Sequence, residues 1–316
     1  MKKFTFIILI CPFLIYSQDV KKDTSYWKHS GYFGLNGSQT WLSDWQGGGQ
    51  ANVAGNSIFN FQLDYAKGKH AWTTKVDLQY GLIRPGQDHL FKKNIDQIFA
   101  LSKYDIDAFG KHWYYAMQAD YRSQFASGYT YKNDSIVGRA KSDFNSPGYL
   151  QLALGLDYKP ADYFSATFAP AAGKVTMVNR QYLADEGAYG VDKAVYDASG
   201  KMITPGKKTR YEFGGRLIFK FKKDIMQNVN LDSYLDLFSN YFHNPGNVKV
   251  VFNNLVTMKV NKFLTVNIIS QMIYDNDITV TRDLNNDGNI DPSKGEYKGP
   301  RLQLLTTMAI GFGYKF

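Results

Sequence analysis

The sequence predicts an all-β chain: a transmembrane antiparallel up-and-down β-barrel of about 12 strands, exported behind a cleaved signal peptide. Three observations carry this reading. Apolar and polar residues alternate with period two along nearly the whole chain, in runs long enough to cross a bilayer. The connections between those runs are long and short in turn. Mean hydropathy is only −0.36 although 16% of the residues are aromatic, which suits strands with one greasy face and one polar face.

The N-terminus has the three parts of an export signal. Lys2 and Lys3 are followed by the apolar run Phe4 to Ile15 and by Tyr16-Ser17-Gln18, with a small residue before the expected cut. That run is too short to span a membrane as a helix, which needs roughly 20 apolar residues. Residues 1–17 are therefore expected to be removed, leaving 18–30 as a flexible periplasmic segment and 31–316 as the barrel. The rival reading, a lipoprotein signal acylated at Cys11, is disfavoured by Ile10 where a small residue is needed. Cys11 is the only cysteine, so the mature chain can form no disulfide, zinc-thiolate site or cysteine nucleophile. Net charge is +9, spread thinly and without a basic run, which argues against nucleic acid as a partner.

The alternation is clearest in five places. Val53, Phe59, Phe61, Leu63 and Tyr65 interleave with Asn56, Asn60, Gln62 and Asp64; Trp72 to Leu82 repeats the pattern with Lys75, Asp77 and Gln79 on the polar side. Leu150, Leu152, Leu154 and Leu156 interleave with Gln151 and Asp157, and Tyr211, Phe213, Leu217 and Phe219 with Glu212, Arg216 and Lys220. The last run is Leu302, Leu304, Met308, Ile310, Phe312, Tyr314 and Phe316. Weaker strands are expected over Tyr32–Leu42, Asn94–Lys103, Trp113–Phe125, Phe164–Val178, Asn228–Asn240, Val248–Val260 and Leu264–Asp275. Aromatic residues gather near strand ends, as in Trp113 to Tyr115, Tyr163-Phe164 and Tyr314 to Phe316, where membrane interfaces favour them.

With the chain entering from the periplasm, the outward connections run over 43–50, 83–92, 126–148, 179–208, 241–247 and 276–300. The inward ones run over 66–70, 104–112, 159–162, 222–227 and 261–262. Long outer loops and short inner turns are the rule for bacterial barrels, whereas a secreted β-sandwich, the alternative fold, has no reason to follow it. The terminal strand ending on Phe316 is the pattern by which such barrels are taken up by the barrel-assembly machinery. The expected location is thus the outer membrane of a Gram-negative bacterium, with membrane lipid and lipopolysaccharide as surroundings.

The stretch Gln39-Thr40-Trp41-Leu42-Ser43-Asp44-Trp45-Gln46-Gly47-Gly48-Gly49 resembles the opening motif of a Bacteroidota outer-membrane family, the domain of unknown function 3078. So do Ser142 to Tyr149, Gly155 to Pro160 and Tyr274 to Asp277. The likeness extends from about Trp27 to Phe316, with Asp44 where the family carries asparagine. It implies an outer-membrane barrel and brings no catalytic residues.

Few residues suggest chemistry. Asp283, Asn285, Asp287 and Asp291, with Gly288 at the turn, are spaced like the front half of an EF-hand calcium loop, although Lys294 stands where the closing Glu belongs. The bland alternative is a polar loop rich in turn formers. Trp45 with Gly47 to Gly49 lacks the Lys-Ser/Thr of a phosphate loop and reads as a hairpin anchored by Trp45. His29, His70, His89, His112 and His243 show no metal-ligand spacing. A lipid-active enzyme would need a Ser–His pair, and only Ser239 with His243 offers one. Asp64, Lys75, Asp77, Asp120, Arg122, Asp157, Glu212, Arg216, Lys220, Asp232 and Asp236 all fall on inward parity. They either line a hydrophilic channel or pair with one another and fill a narrow lumen. The expected function is an envelope barrel without catalytic activity or resident cofactor, a narrow channel or scaffold; a porin or transporter for a small solute and a barrel-type lipid-active enzyme are the alternatives.

Overall fold

The computed structural model describes residues 25–40, 52–86, 88–132, 134–262, 264–282 and 289–316. The expected export signal, Trp45 with the glycines that follow it, and residues 283–288 of the expected calcium set lie outside these.

Twelve strands close into one antiparallel barrel, each bonded to its neighbours in sequence and the last to the first. They are β1 Trp27–Thr40, β2 Asn52–Lys67, β3 His70–Pro85, β4 Lys92–Asp107, β5 Trp113–Ser123 and β6 Gly148–Ala161, then β7 Phe164–Met177, β8 Thr209–Met226, β9 Val229–Asn240, β10 Val248–Lys259, β11 Leu264–Tyr274 and β12 Gln303–Lys315. Every expected strand is present, and the shortest has 11 residues, enough to cross a bilayer at the usual tilt. The first strand begins earlier than residue 31: Trp27 to Ser30 already pair with Tyr65 to Gln62. Those four residues show no hydrophobic alternation, and Trp27 is held instead by the Tyr65 ring 4.8 Å away.

Side chains divide as a membrane barrel requires. Leu154, Leu217 and Phe312 are 53%, 38% and 70% exposed on the outside, so they form no dry layer between two sheets and the sandwich alternative is excluded. Such an apolar exterior on a closed sheet matches lipid, not water. Aromatic rings ring the short-turn rim: Trp72 with Tyr104, Trp113 with Tyr158, Tyr163 with Phe221 and Tyr314 with Phe316.

Connections at that rim are brief, as at 68–69 and 227–228, whereas 124–147, 178–208 and 275–302 are long. The long ones carry structure of their own: a hairpin of Gly128–Lys132 with Ser135–Ser142, a short helix α1 over Gln181–Asp185, and a pairing of Val280–Arg282 with Tyr297–Gly299. Val178, Leu183, Ala184 and Val191 bury one another beside α1. Tyr182 and Tyr189 donate their hydroxyls to the carbonyls of Ala140 and Lys141, docking this segment onto the hairpin.

One strand breaks its own alternation. At Pro170, β7 carries one residue more than either neighbour, since Leu154 and Leu156 face Ala171 and Phe168 while Gly214 and Arg216 face Ala172 and Ala169. Proline cannot donate to the ladder, so the strand bulges there. The inward set then changes from Thr167 and Ala169 to Ala172, Lys174 and Thr176.

Candidate functional site

The lumen is where the sequence's charged residues converge, and it is filled in layers. At mid-height Arg216 of β8 reaches two carboxylates on different strands. Its Nε and Nη2 donate to Asp236 of β9, each at 2.8 Å. Nη1 and Nη2 donate to Asp120 of β5 at 2.6 and 3.1 Å, and Nη2 also donates to the Tyr234 hydroxyl at 3.1 Å. Arg122 adds a bond to Asp236 at 3.1 Å and lies against the Phe99 and Tyr234 rings. Two guanidinium groups face two carboxylates, so the layer is neutral. Room for it comes from Ala153, Ala169 and Ala172, small buried residues packed with Phe238 on the lumen wall. Large side chains opposite small ones are how narrow barrels fill.

Toward the long loops a second neutral layer joins three cations to three carboxylates. Lys249 donates to Glu212 and Asp277 at 2.7 Å each and lies 3.3 Å from Asp275. Arg210 pairs with Asp277 at 2.8 Å and Glu212 at 3.3 Å, and Lys174 sits 3.6 Å from Asp275. Arg210 also donates to the Gly190 carbonyl at 2.9 Å, tying this layer to the segment after α1. Asp277 lies beyond the end of β11; burial would raise its carboxyl, and the Lys249 and Arg210 contacts outweigh that and hold it below the usual range.

Toward the short turns Lys103 bonds Asp157 and Lys159 bonds Asp105 at 2.6 Å, while Lys75 lies 3.1 Å from Asp77 and 3.6 Å from Asp232. The far wall, on β1, β2, β4 and β11, carries an apolar cluster in which Tyr32, Ile58, Ile95 and Ile269 pack together, beside hydrogen-bonded Asn36, Thr265 and Asn267. Below the Arg216 layer the lumen widens into a chamber of about 590 Å³. Phe99, Tyr234, Leu255 and Ile269 line its inner end, and His112, Asp162 and Tyr163 its mouth among the short turns.

All eleven charged residues expected to face inward do so, and the choice between lining and filling falls to filling in the middle layer. Lys103, Asp105, Lys159, Lys174, Arg210, Lys249, Asp275 and Asp277 complete the networks and were not among the inward charges expected from sequence. Lys103 and Asp105 share the inward parity of β4; the expected strand already contained Lys103, and ending it there cut off Asp105. Lys174 carried no such signal, because the Pro170 bulge reverses parity.

The remaining candidates are dispersed. Of the calcium set, Asp283, Asn285 and Asp287 lie outside the described residues. Asp291 accepts hydrogen bonds from the Ser293 N–H and hydroxyl at 3.0 and 2.6 Å and pairs with Lys294 at 3.2 Å. Ser239 gives its hydroxyl proton to the Pro245 carbonyl at 2.6 Å. His70 meets the Tyr104 hydroxyl at 2.7 Å, and the described residues contain no group of three or more metal-ligating side chains.

The family described as "Protein of unknown function (DUF3078)" matches residues 38–129, the first third of the span over which the resemblance was read. No curated protein matches the chain. Among solved structures, an outer membrane channel from Pseudomonas putida F1 aligns with 91% of this chain and 95% of its own at 8% identity and a TM-score of 0.38. The translocator domain of the autotransporter NalP from Neisseria meningitidis aligns with 93% and 90% at 10% identity and a TM-score of 0.36. Similarity this slight adds nothing to what strand pairing and the apolar exterior already establish.

Proposed function

We propose that this chain is a non-enzymatic outer-membrane barrel whose lumen is closed at rest, a scaffold or a narrow gated channel and not an open porin. One observation carries the reading: Arg216 bridges Asp236 on the adjacent strand and Asp120 three strands away around the ring, with none of its side chain exposed. An open pore keeps its charged residues hydrated and apart, so that ions exchange quickly between them. Here the charges neutralise one another in pairs and fork geometry, which favours a fixed arrangement. With short turns facing the periplasm, the chamber is a blind vestibule on that side, and the Arg210–Lys249 layer and docked loops stand on the outer side.

Conductance tests the proposal. Purified protein in planar bilayers should give no steady open-pore steps, and Arg216→Ala should introduce them. Steady large steps from the unaltered protein would overturn it.

A further inference from the structure

Each lysine lining the vestibule but one lies within ion-pair distance of a carboxylate. Lys75, Lys103 and Lys159 each lie within ion-pair distance of two aspartates, and Lys222 lies 3.9 Å from Asp232. Lys220 lines the same chamber and has no carboxylate in reach among the described residues; its neighbour is the Tyr234 ring, 5.8 Å from Nζ. The nearer carboxylates are committed elsewhere, Asp157 to Lys103 and Thr167 and Asp120 to Arg216. Asp64 is held by Gln62 and Thr73 at 2.7 Å each, beside the Tyr65 and Trp72 rim, and Asp162 lies in the turn between β6 and β7.

An ammonium group withdrawn from bulk water without a counter-charge is costly. In a chamber that opens to solvent, a small anion removes that cost. Lysine serves this purpose as a compact point charge that tolerates several anion geometries. The chamber's volume falls within the range of small-molecule pockets, roughly 300 to 1,000 Å³. Gln79 and Gln97, opposed on β3 and β4, line it too and offer amide donors for a ligand's remaining oxygens.

We propose that the vestibule is a binding site for a small organic anion, a phosphate or carboxylate compound entering from the short-turn side, with Lys220 as its charge partner. The proposal rests on the barrel reading but not on the closed Arg216 layer. Steady open-pore steps from the unaltered protein would overturn the closed lumen and leave binding here measurable, and loss of binding would leave the closed lumen intact.

The test is calorimetric titration of the folded protein in detergent with inorganic phosphate and, separately, with succinate. Saturable binding of either is expected, weakened at least tenfold in Lys220→Met and retained in Lys220→Arg. Phosphate alone binding would assign phosphate compounds, and succinate alone would assign carboxylates. Should Lys220→Met fail to fold, amine acetylation of the unaltered protein read by mass spectrometry serves instead. The successful anion should slow modification of Lys220 and leave the exposed Lys262 unaffected. No saturable heat with either anion, equal affinity in Lys220→Met, or no protection of Lys220 would overturn the proposal.

Discussion

Arg216 and Asp120 stand 96 positions apart in sequence and meet through two parallel hydrogen bonds inside the barrel, both side chains at most 1% exposed. Arg216 would keep Asp236 if Asp120 were lost, whereas Asp120 without Arg216 would keep only the Gln118 amide donor. Arg216→Ala would leave Asp120 without a cation and Asp236 with Arg122 alone, and breaking a buried pair from one side costs about 3–5 kcal/mol. Removing the pair together as Arg216→Met with Asp120→Asn should cost much less, because Asp236 keeps Arg122 as its partner and no unpaired charge remains. Urea unfolding in detergent, followed by the gel shift between folded and heated barrel, checks both variants. Equal losses would mean that the network's ionic character is irrelevant to stability.

Closure of the ring depends on a short seam. Strands β1 and β12 pair over six positions, from Tyr32 with Lys315 to Gly37 with Ile310, fewer than any other pair of neighbouring barrel strands among the described residues. Gly311 permits this approach: a Cβ there would lie 2.1 Å from the Leu35 carbonyl oxygen and 2.5 Å from the Asn36 Cα. Backbone atoms cannot swing aside as a side chain can. Gly311→Ala should therefore cost roughly 1–3 kcal/mol, the range for overpacking, and slow barrel closure. Gly173→Ala, where a Cβ would meet nothing within 4 Å, is the control and should fold as the unaltered chain does. Refolding rates into detergent micelles make the comparison.

The strands were legible because each exceeds the length at which alternation could arise by accident, and because lipid outside and charge inside enforce opposite preferences on successive residues. The same parity placed Arg216, Asp120 and Asp236 inside. Their meeting was not legible. Which inward residues share a height depends on how far the strands are staggered around the ring, and no local signal encodes that. Pro170 shows a second limit: one inserted residue turned Lys174 inward against the phase of Thr167. Trp27 to Ser30 show a third, since a strand end can be fixed by one aromatic contact and ladder bonds without any apolar repeat.

The acidic loop after β11 makes a separate prediction. Asp291, the one candidate ligand described, already caps the turn at Ser293 and pairs with Lys294. A calcium ion would have to displace that lysine, so affinity should be in the weak, millimolar range of extracellular sites. Calorimetric titration with calcium should give such binding, lost in Asp287→Ala and strengthened in Lys294→Gln. Identical heats in the unaltered protein and Asp287→Ala would reduce the loop to a polar turn.

The docked segment around α1 should respond to acid through Asp143. This carboxylate accepts a hydrogen bond from the Arg180 guanidinium and one from the Phe144 N–H at 2.9 Å, joining the connection 124–147 to the start of the next long loop. Burial alone would raise the Asp143 carboxyl, but those bonds outweigh it and hold it below the usual carboxylate range. A depressed folded value means that the clasp contributes fully above the unfolded value, about 4, and that its contribution fades as pH falls through the folded one. Amide exchange over residues 178–191, corrected for intrinsic rates, should thus be unchanged between pH 7 and pH 5 and rise below about pH 4. Asp143→Asn keeps the shape and removes the charge, so it should show the raised exchange already at pH 7. If that variant exchanges as slowly as the unaltered chain, the tyrosine contacts to Ala140 and Lys141 hold the segment without help from the ion pair.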